Sequence, residues 1–334
     1  VGASTVAAPT YISEISTAKS RGTLVALYQF NIVFGILIAF LSNYLLDGFT
    51  GANDWRWMLG VEAIPAVIYC VLIFGVPKSP RWLITVKKDK AGALAVLERI
   101  LGNRAEAEKE VEEITLSTHQ EGSNTRLFSG AFKRPLLLAF LLAFFNQLSG
   151  INFILYYAPV ILENAGFASS DSLLSSIAIG GTNLAFTFVG LYLIDRMGRK
   201  SLMYIGSIGY VISLAMVAYG FKTEASAGFN LFFILTFIAS HAVGQGAVIW
   251  VFISEIFPNS VRAAGGAWGT GTHWVFAALI TMLGEVVIES FPGWTIFAFF
   301  AAFMVLQLLF THFIMPETRG KSLEELQENM KNHG

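Results

Sequence analysis

Three amides, Asn146, Gln147 and Asn152, fall within seven positions of an otherwise apolar stretch, around Ser149-Gly150 and with Tyr156, Tyr157 and Pro159 close behind. An amide offers donors and acceptors in a fixed geometry, and an aromatic face packs against the C–H face of a ring, so this combination suits a neutral polyol. Gln29 and Asn183 lie in two further apolar stretches, as do Trp250 and Trp274. His273, beside Trp274, could hydrogen-bond the same ligand or titrate. His241 has only Ser240 and small residues beside it and is a weaker candidate.

These residues need a scaffold that keeps polar groups away from lipid. The chain has 334 residues, 54% of them hydrophobic and 13% charged, where a soluble protein carries roughly 25% charge. Apolar runs occupy residues 23–46, 56–76, 134–162, 172–194, 201–221, 229–257, 263–288 and 293–315, each long enough to cross a hydrocarbon core of roughly 30 Å. The fold class expected is therefore an all-α membrane protein. Residues 1–15 resemble a further span cut short, because Val1-Gly2-Ala3-Ser4 has neither an initiator Met nor the zones of a signal peptide.

Of 22 Lys and Arg, 20 fall in one set of alternate loops, and only Arg56 and Lys222 in the other. The positive-inside rule thus predicts a multi-pass inner or plasma membrane protein with the 78–134 loop and the C-terminus in the cytoplasm. Within that loop Leu94, Leu97 and Leu101 recur at helical spacing among charges, predicting short surface helices. Its acids and bases are mixed and its aromatics few, which gives no nucleic-acid surface. Glu62, Glu285 and Glu289 lie near the opposite ends of their spans and are expected to meet water.

The chain also repeats itself. Tyr11-Ile12-Ser13-Glu14-Ile15 with Arg21 returns as Phe252-Ile253-Ser254-Glu255-Ile256 with Arg262, both charges at one offset of 241 residues. Val76-Pro77 corresponds to Met315-Pro316 at an offset of 239. Two halves of about six helices follow, with three helices and the start of a fourth expected upstream of residue 1. Cys70 is the single cysteine, which leaves no disulfide or cysteine-based metal site. Neither a nucleotide-binding loop nor a hydrolase constellation is present, and no cofactor, metal or catalytic residue is expected.

Five ordered motifs span the chain: Pro77-Lys78-Ser79-Pro80-Arg81-Trp82-Leu83, Gln147-Leu148-Ser149-Gly150-Ile151-Asn152, Asp195-Arg196-Met197-Gly198-Arg199-Lys200, Ser254-Glu255-Ile256-Phe257-Pro258 and Pro316-Glu317-Thr318-Arg319-Gly320. In these motifs the chain resembles the sugar porters of the major facilitator superfamily. The resemblance implies a partial major facilitator fold, helices 4 to 12 of twelve, in two pseudo-symmetric bundles with a helical linker. Residues 1–77 complete the first bundle, 78–132 form the cytoplasmic linker, 133–316 make the second bundle and 317–334 the tail.

The resemblance further implies a monosaccharide carried by alternating access through a monomer in the lipid bilayer. Gln29, Gln147, Asn152, Asn183, Trp250 and Trp274 would touch the sugar, and Tyr156 and Tyr157 would close its outer side. Glu14, Arg21, Arg199, Glu255 and Arg262 would form the cytoplasmic charge network that latches the two halves. The family's proton-coupling aspartate and its arginine partner lie on helices outside this chain. Proton symport is the expected mode, with the proton as coupling ion, and facilitated diffusion and a non-transporting sugar sensor are the alternatives that the chain leaves open.

Several positions depart from the family pattern. Asn146 stands where a second glutamine is common, and Lys78 replaces the usual Glu. Gly244-Gln245-Gly246-Ala247 lacks a proline often found there, which leaves any bend to glycine flexibility. His273 replaces an amide, a reason to expect altered sugar preference or pH dependence.

Overall fold

A computed structural model describes residues 7–8, 11–12, 14–15, 21–120, 127–128, 130–258 and 261–319, with the side chains of residues 21–28, 117–120 and 131 left outside that set. Among the described residues, eight helical segments are long and apolar enough to cross a membrane: 29–46, 54–73, 133–156, 169–197, 199–222, 227–256, 262–290 and 293–313. They match the eight apolar runs read from the sequence, with ends displaced by a few residues. Chain length between charges fixed their number. Their interruptions are set by packing.

The chain divides into two compact units, residues 1–31 with 55–126 and residues 32–54 with 127–334. Helix α1 (Arg21–Leu46) contributes to both. In the first unit α2 (Asp54–Gly60) and α3 (Ala63–Ile73) form one span with a turn at Val61-Glu62, where Glu62 is exposed. Apolar side chains on α3 are exposed on every face, for example Val67, Tyr69 and Leu72, as befits a helix immersed in hydrocarbon.

The linker then folds on its own small core. Ser79 caps a short helical turn, Pro80–Trp82, by accepting from the Trp82 amide at 3.2 Å, and a π-helical turn follows at Leu83–Lys87. Lys78 and Lys87 place their ammonium groups 5.3 and 5.5 Å from the Trp82 ring centroid. The basic residue at position 78 thus has an aromatic partner. Helix α4 (Lys90–Leu101) starts at Asp89, which accepts from Gly92 N at 2.8 Å, and stops at Gly102 in the left-handed region. Helix α5 (Arg104–Gln120) returns against it, and Leu83, Ile84, Ala93, Leu97, Ala107 and Ile114 are buried together. Leu94 and Leu101 pack on this cluster, as their spacing predicted.

The second unit holds α6 (Lys133–Leu148), α7 (Ile151–Tyr156), α8 (Ala158–Asn164), α9 (Ser169–Met197), α10 (Arg199–Lys222), α11 (Ala227–Val243), α12 (Gln245–Ile256), α13 (Arg262–Ser290) and α14 (Gly293–Phe313). The run at 134–162 is broken at Gly150 and Tyr157, and the run at 229–257 at Gly244. Helix α10 packs on α11 and α14, α9 on α11, and α6 on α13. Glu285 and Glu289 are exposed near the end of α13.

Candidate functional site

Gln147 is fully buried near the end of α6 and sits at the centre of a hydrogen-bonded cluster. Its Nε2 donates to Asn146 Oδ1 at 3.0 Å and lies 3.1 and 3.2 Å from the two ring nitrogens of His273. Its Oε1 accepts from Asn152 Nδ2, also at 3.0 Å. Gln147 and Asn152 are five positions apart, which in an unbroken helix separates them by about 140° around the axis. They meet because α6 stops first.

The stop is built from the residues that follow Gln147. Ser149 Oγ donates to Asn146 O at 2.7 Å, and Gly150 N donates to Gln147 O at 3.0 Å. Gly150 then adopts φ +83, a conformation that side chains oppose, and a Cβ there would lie 2.7 Å from the Phe300 ring. Gly150→Ala is therefore expected to cost roughly 2–4 kcal/mol of stability, combining left-handed strain with overpacking. Thermal melts of the purified protein should show the loss, and an unchanged midpoint would contradict it.

Helix α13 supplies the opposite wall. The rings of His273 and Trp250 have centroids 5.0 Å apart, and those of His273 and Trp274 5.2 Å apart. Trp274 Nε1 is buried and has no hydrogen-bond partner among the described residues. Asn146, Gln147, Asn152, Trp250, His273 and Trp274 are thus brought together by α6, α7, α12 and α13. The cluster itself contains no Lys, Arg, Asp or Glu, so it offers hydrogen bonds and aromatic faces without a fixed charge.

Other predicted residues stand apart from it. Asn183 is buried on α9, and no hydrogen bond joins it to the cluster among the described residues. Gln29, in the first unit, has a buried Oε1 without a hydrogen-bond partner among the described residues. The tyrosine pair divides: Tyr157 donates to Thr281 O at 2.9 Å and ties the junction of α7 and α8 to α13, while Tyr156 is 54% exposed. His241 bonds through Nδ1 to the Tyr210 hydroxyl at 2.7 Å, a partner that its own neighbours in sequence do not reveal.

At the charged end of the second unit, Arg199 is buried and paired bidentately with Glu255, at 2.7 and 3.2 Å. It also reaches Asp195 at 3.3 Å and Ile194 O at 3.2 Å. Thr318 Oγ1 donates to Glu255 at 2.6 Å. Arg262 donates to Phe257 O at 3.3 Å. In the first unit Glu14 accepts from the Ser79 hydroxyl. Glu14 with Ser79 and Glu255 with Thr318 are the same hydrogen bond written twice, at the offsets of the sequence repeat. The side chain of Arg21 lies outside the described residues.

Glu317 belongs to this network and was not singled out from the sequence. Its carboxylate accepts from the Arg199 and Lys200 amides, each at 3.0 Å, and so caps the N-terminus of α10 with a negative charge. Thr318 N and Arg319 N also donate to it, at 3.0 and 2.9 Å. The available signal was an acid in a motif that immediately follows the last span.

The sequence model of the family described as "Sugar (and other) transporter" matches residues 1–330. The chain belongs to this sugar transporter family. Among its relatives, the galactose-proton symporter of Escherichia coli K12 is 35% identical over 99% of this chain and 72% of its own length. The arabinose-proton symporter of Bacillus subtilis is 35% identical over 96% of this chain and 70% of its own length. A solved structure of the proton:xylose symporter XylE, bound to 6-bromo-6-deoxy-D-glucose, superposes with a TM-score of 0.78 at 32% identity, covering 96% of this chain and 70% of that one. The sugar transporter family comprises multi-pass membrane transporters of the major facilitator superfamily rather than enzymes, and the all-helical architecture here is theirs.

Proposed function

We propose that the protein carries a neutral monosaccharide across the membrane by alternating access, in symport with a proton. The observation that carries this reading is Gln147, which is buried and bonded through both ends of its amide to polar partners on α6, α7 and α13. Without sugar the amides satisfy one another, so opening the cluster costs little desolvation. A sugar hydroxyl, being donor and acceptor at once, replaces those bonds like for like. The faces of Trp250 and Trp274 take the C–H side of the ring.

Gln29 and Asn183 are assigned to the same ligand, supported in Gln29 by its unpartnered buried oxygen. Tyr156 and Tyr157 are assigned to closure. The charge distribution supports a cytoplasmic linker and tail. Proton coupling is supported by the galactose, arabinose and xylose relatives, which are proton symporters. Glu14, Arg21, Arg199, Glu255 and Arg262 are read as the network that biases the transporter toward its outward-facing state.

The reading is tested by intrinsic fluorescence titration with glucose, xylose, galactose and arabinose. Saturable quenching by at least one of them is expected, and no response to any of the four would count against a sugar site. His273→Gln tests the specificity element. A glutamine keeps a hydrogen-bonding group opposite Gln147 but removes the ring that lies between Trp250 and Trp274. The affinity ratio between the preferred sugar and the next best is expected to change at least threefold. A variant matching the parent for all four sugars would return His273 to a packing role.

A further inference from the structure

Behind the sugar cluster, on the far side of α12, lies a second buried polar group that the proposed function does not use. Gln245, Gln307 and Ser207 are all fully buried. Gln245 Nε2 donates to Gln307 Oε1, and Gln307 Nε2 donates to Ser207 Oγ at 2.8 Å. The chain of bonds links α12 to α14 and α14 to α10. Gln245 is the first residue after the interruption between α11 and α12, where Gly244 takes φ −85, ψ −103.

The interruption sits at a point where two backbones touch. A Cβ on Gly244 would lie 2.7 Å from Gly206 Cα, and one on Gly206 would lie 2.9 Å from Gly244 Cα. That contact lets α12 leave α11 at a new angle but does not choose the angle. Gln245 Oε1 is buried with no hydrogen-bond partner among the described residues, so its side-chain orientation rests on the donor bond to Gln307. One turn before the break, the bond between His241 and Tyr210 fixes α11 to the same face of α10.

Trp250 follows Gln245 by five positions and points about 140° away around α12, toward His273. Any rotation of α12 therefore moves the Trp250 ring across the sugar cluster. We infer that the Gln245–Gln307 pair, anchored on Ser207, is a positioning clasp that sets the orientation of α12 at the Gly244 break and holds Trp250 against His273. The inference deepens the proposed sugar site and rests on it only for the effect on affinity.

Fluorine NMR of fluorotryptophan-labelled protein tests the clasp without sugar, with the Trp250 resonance assigned by its loss in Trp250→Phe. Two variants are compared with the parent: Gln307→Leu, which strands the Gln245 amide, and Gln245→Leu with Gln307→Leu, which removes both polar groups. The Trp250 resonance is expected to move in both. The double variant should recover most of the thermal stability that the single one loses, because no buried amide is left unpaired. Sugar affinity should fall at least fivefold in both.

A Trp250 resonance unmoved in both variants overturns the clasp. Parental affinity in the double variant would also overturn it, since restored packing alone would then place Trp250. If the parent itself binds no sugar, the sugar reading fails while the resonance still decides the clasp.

Discussion

Gln147→Ala is expected to weaken sugar binding about a hundredfold, about 2.7 kcal/mol, while the fold survives. The side chain removed has one donor end, shared by Asn146 and His273, and one acceptor end, used by Asn152. Two neutral hydrogen bonds to a sugar contribute about 1–3 kcal/mol together. Their loss also frees Asn152 and His273 to adopt orientations that no longer converge on one hydroxyl. Stability should fall less than affinity, because the vacated space adjoins polar groups that water can satisfy. Gln147→Glu separates the donor from the acceptor, since an ionised carboxylate keeps only acceptors. Titration of both variants beside a melting curve measures this, and an affinity within threefold of the parent would remove Gln147 from the centre of the site.

The second large effect is expected at the charge network. Exposed ion pairs contribute about 0–1 kcal/mol, but the Arg199 side chain is only 10% exposed. Deleting Glu255 would leave a largely buried guanidinium with Asp195 and one carbonyl as compensation. Breaking a buried pair from one side costs about 3–5 kcal/mol. If that energy biases one of two conformations, a shift of about 2.7 kcal/mol moves an even equilibrium to about one part in a hundred. Glu255→Gln should therefore cut sugar uptake at least tenfold while binding stays within threefold. Equal losses in both would point to a damaged fold, and normal uptake would show that the pair is only a static tie between helix ends.

Much of the membrane architecture was legible because it depends on one-dimensional quantities. A run such as 293–315 has no charge to interrupt it, and lipid admits only a helix there. The break after Gln147 was half legible: Ser149-Gly150 announces a turn, but the φ of +83 and the Phe300 ring that together exclude a side chain at Gly150 are seen only in the structure. The break at Gly244 was half legible too: the glycines there allow a bend, but Gly206, which meets Gly244 from another helix, is visible only in three dimensions.

The site divides in the same way. Asn146, Gln147 and Asn152 are close in sequence and announce themselves as a group. The contact from Gln147 to His273 spans 126 positions and is visible only in three dimensions. The bond from Thr318 to Glu255 could have been foreseen, because the repeat pairs Glu255 with Glu14 and Thr318 with Ser79. The glutamates stand out because each sits in a repeated Ser-Glu-Ile string, whereas their hydroxyl partners lie in loops far along the chain. Glu317 escaped because its role comes from the start of α10, far away in sequence. Asn183 shows the converse limit, as a polar residue in an apolar run does not reveal which neighbours its side chain will find.

The most direct test of sugar transport is uptake by the protein reconstituted in proteoliposomes, with glucose, xylose, galactose and arabinose supplied in turn and a pH gradient imposed. At least one sugar is expected to accumulate above its external concentration, and a protonophore is expected to abolish the accumulation. Equilibration without accumulation would contradict proton coupling but keep the sugar site. Absence of flux for all four sugars, from protein that folds and inserts, would contradict sugar transport.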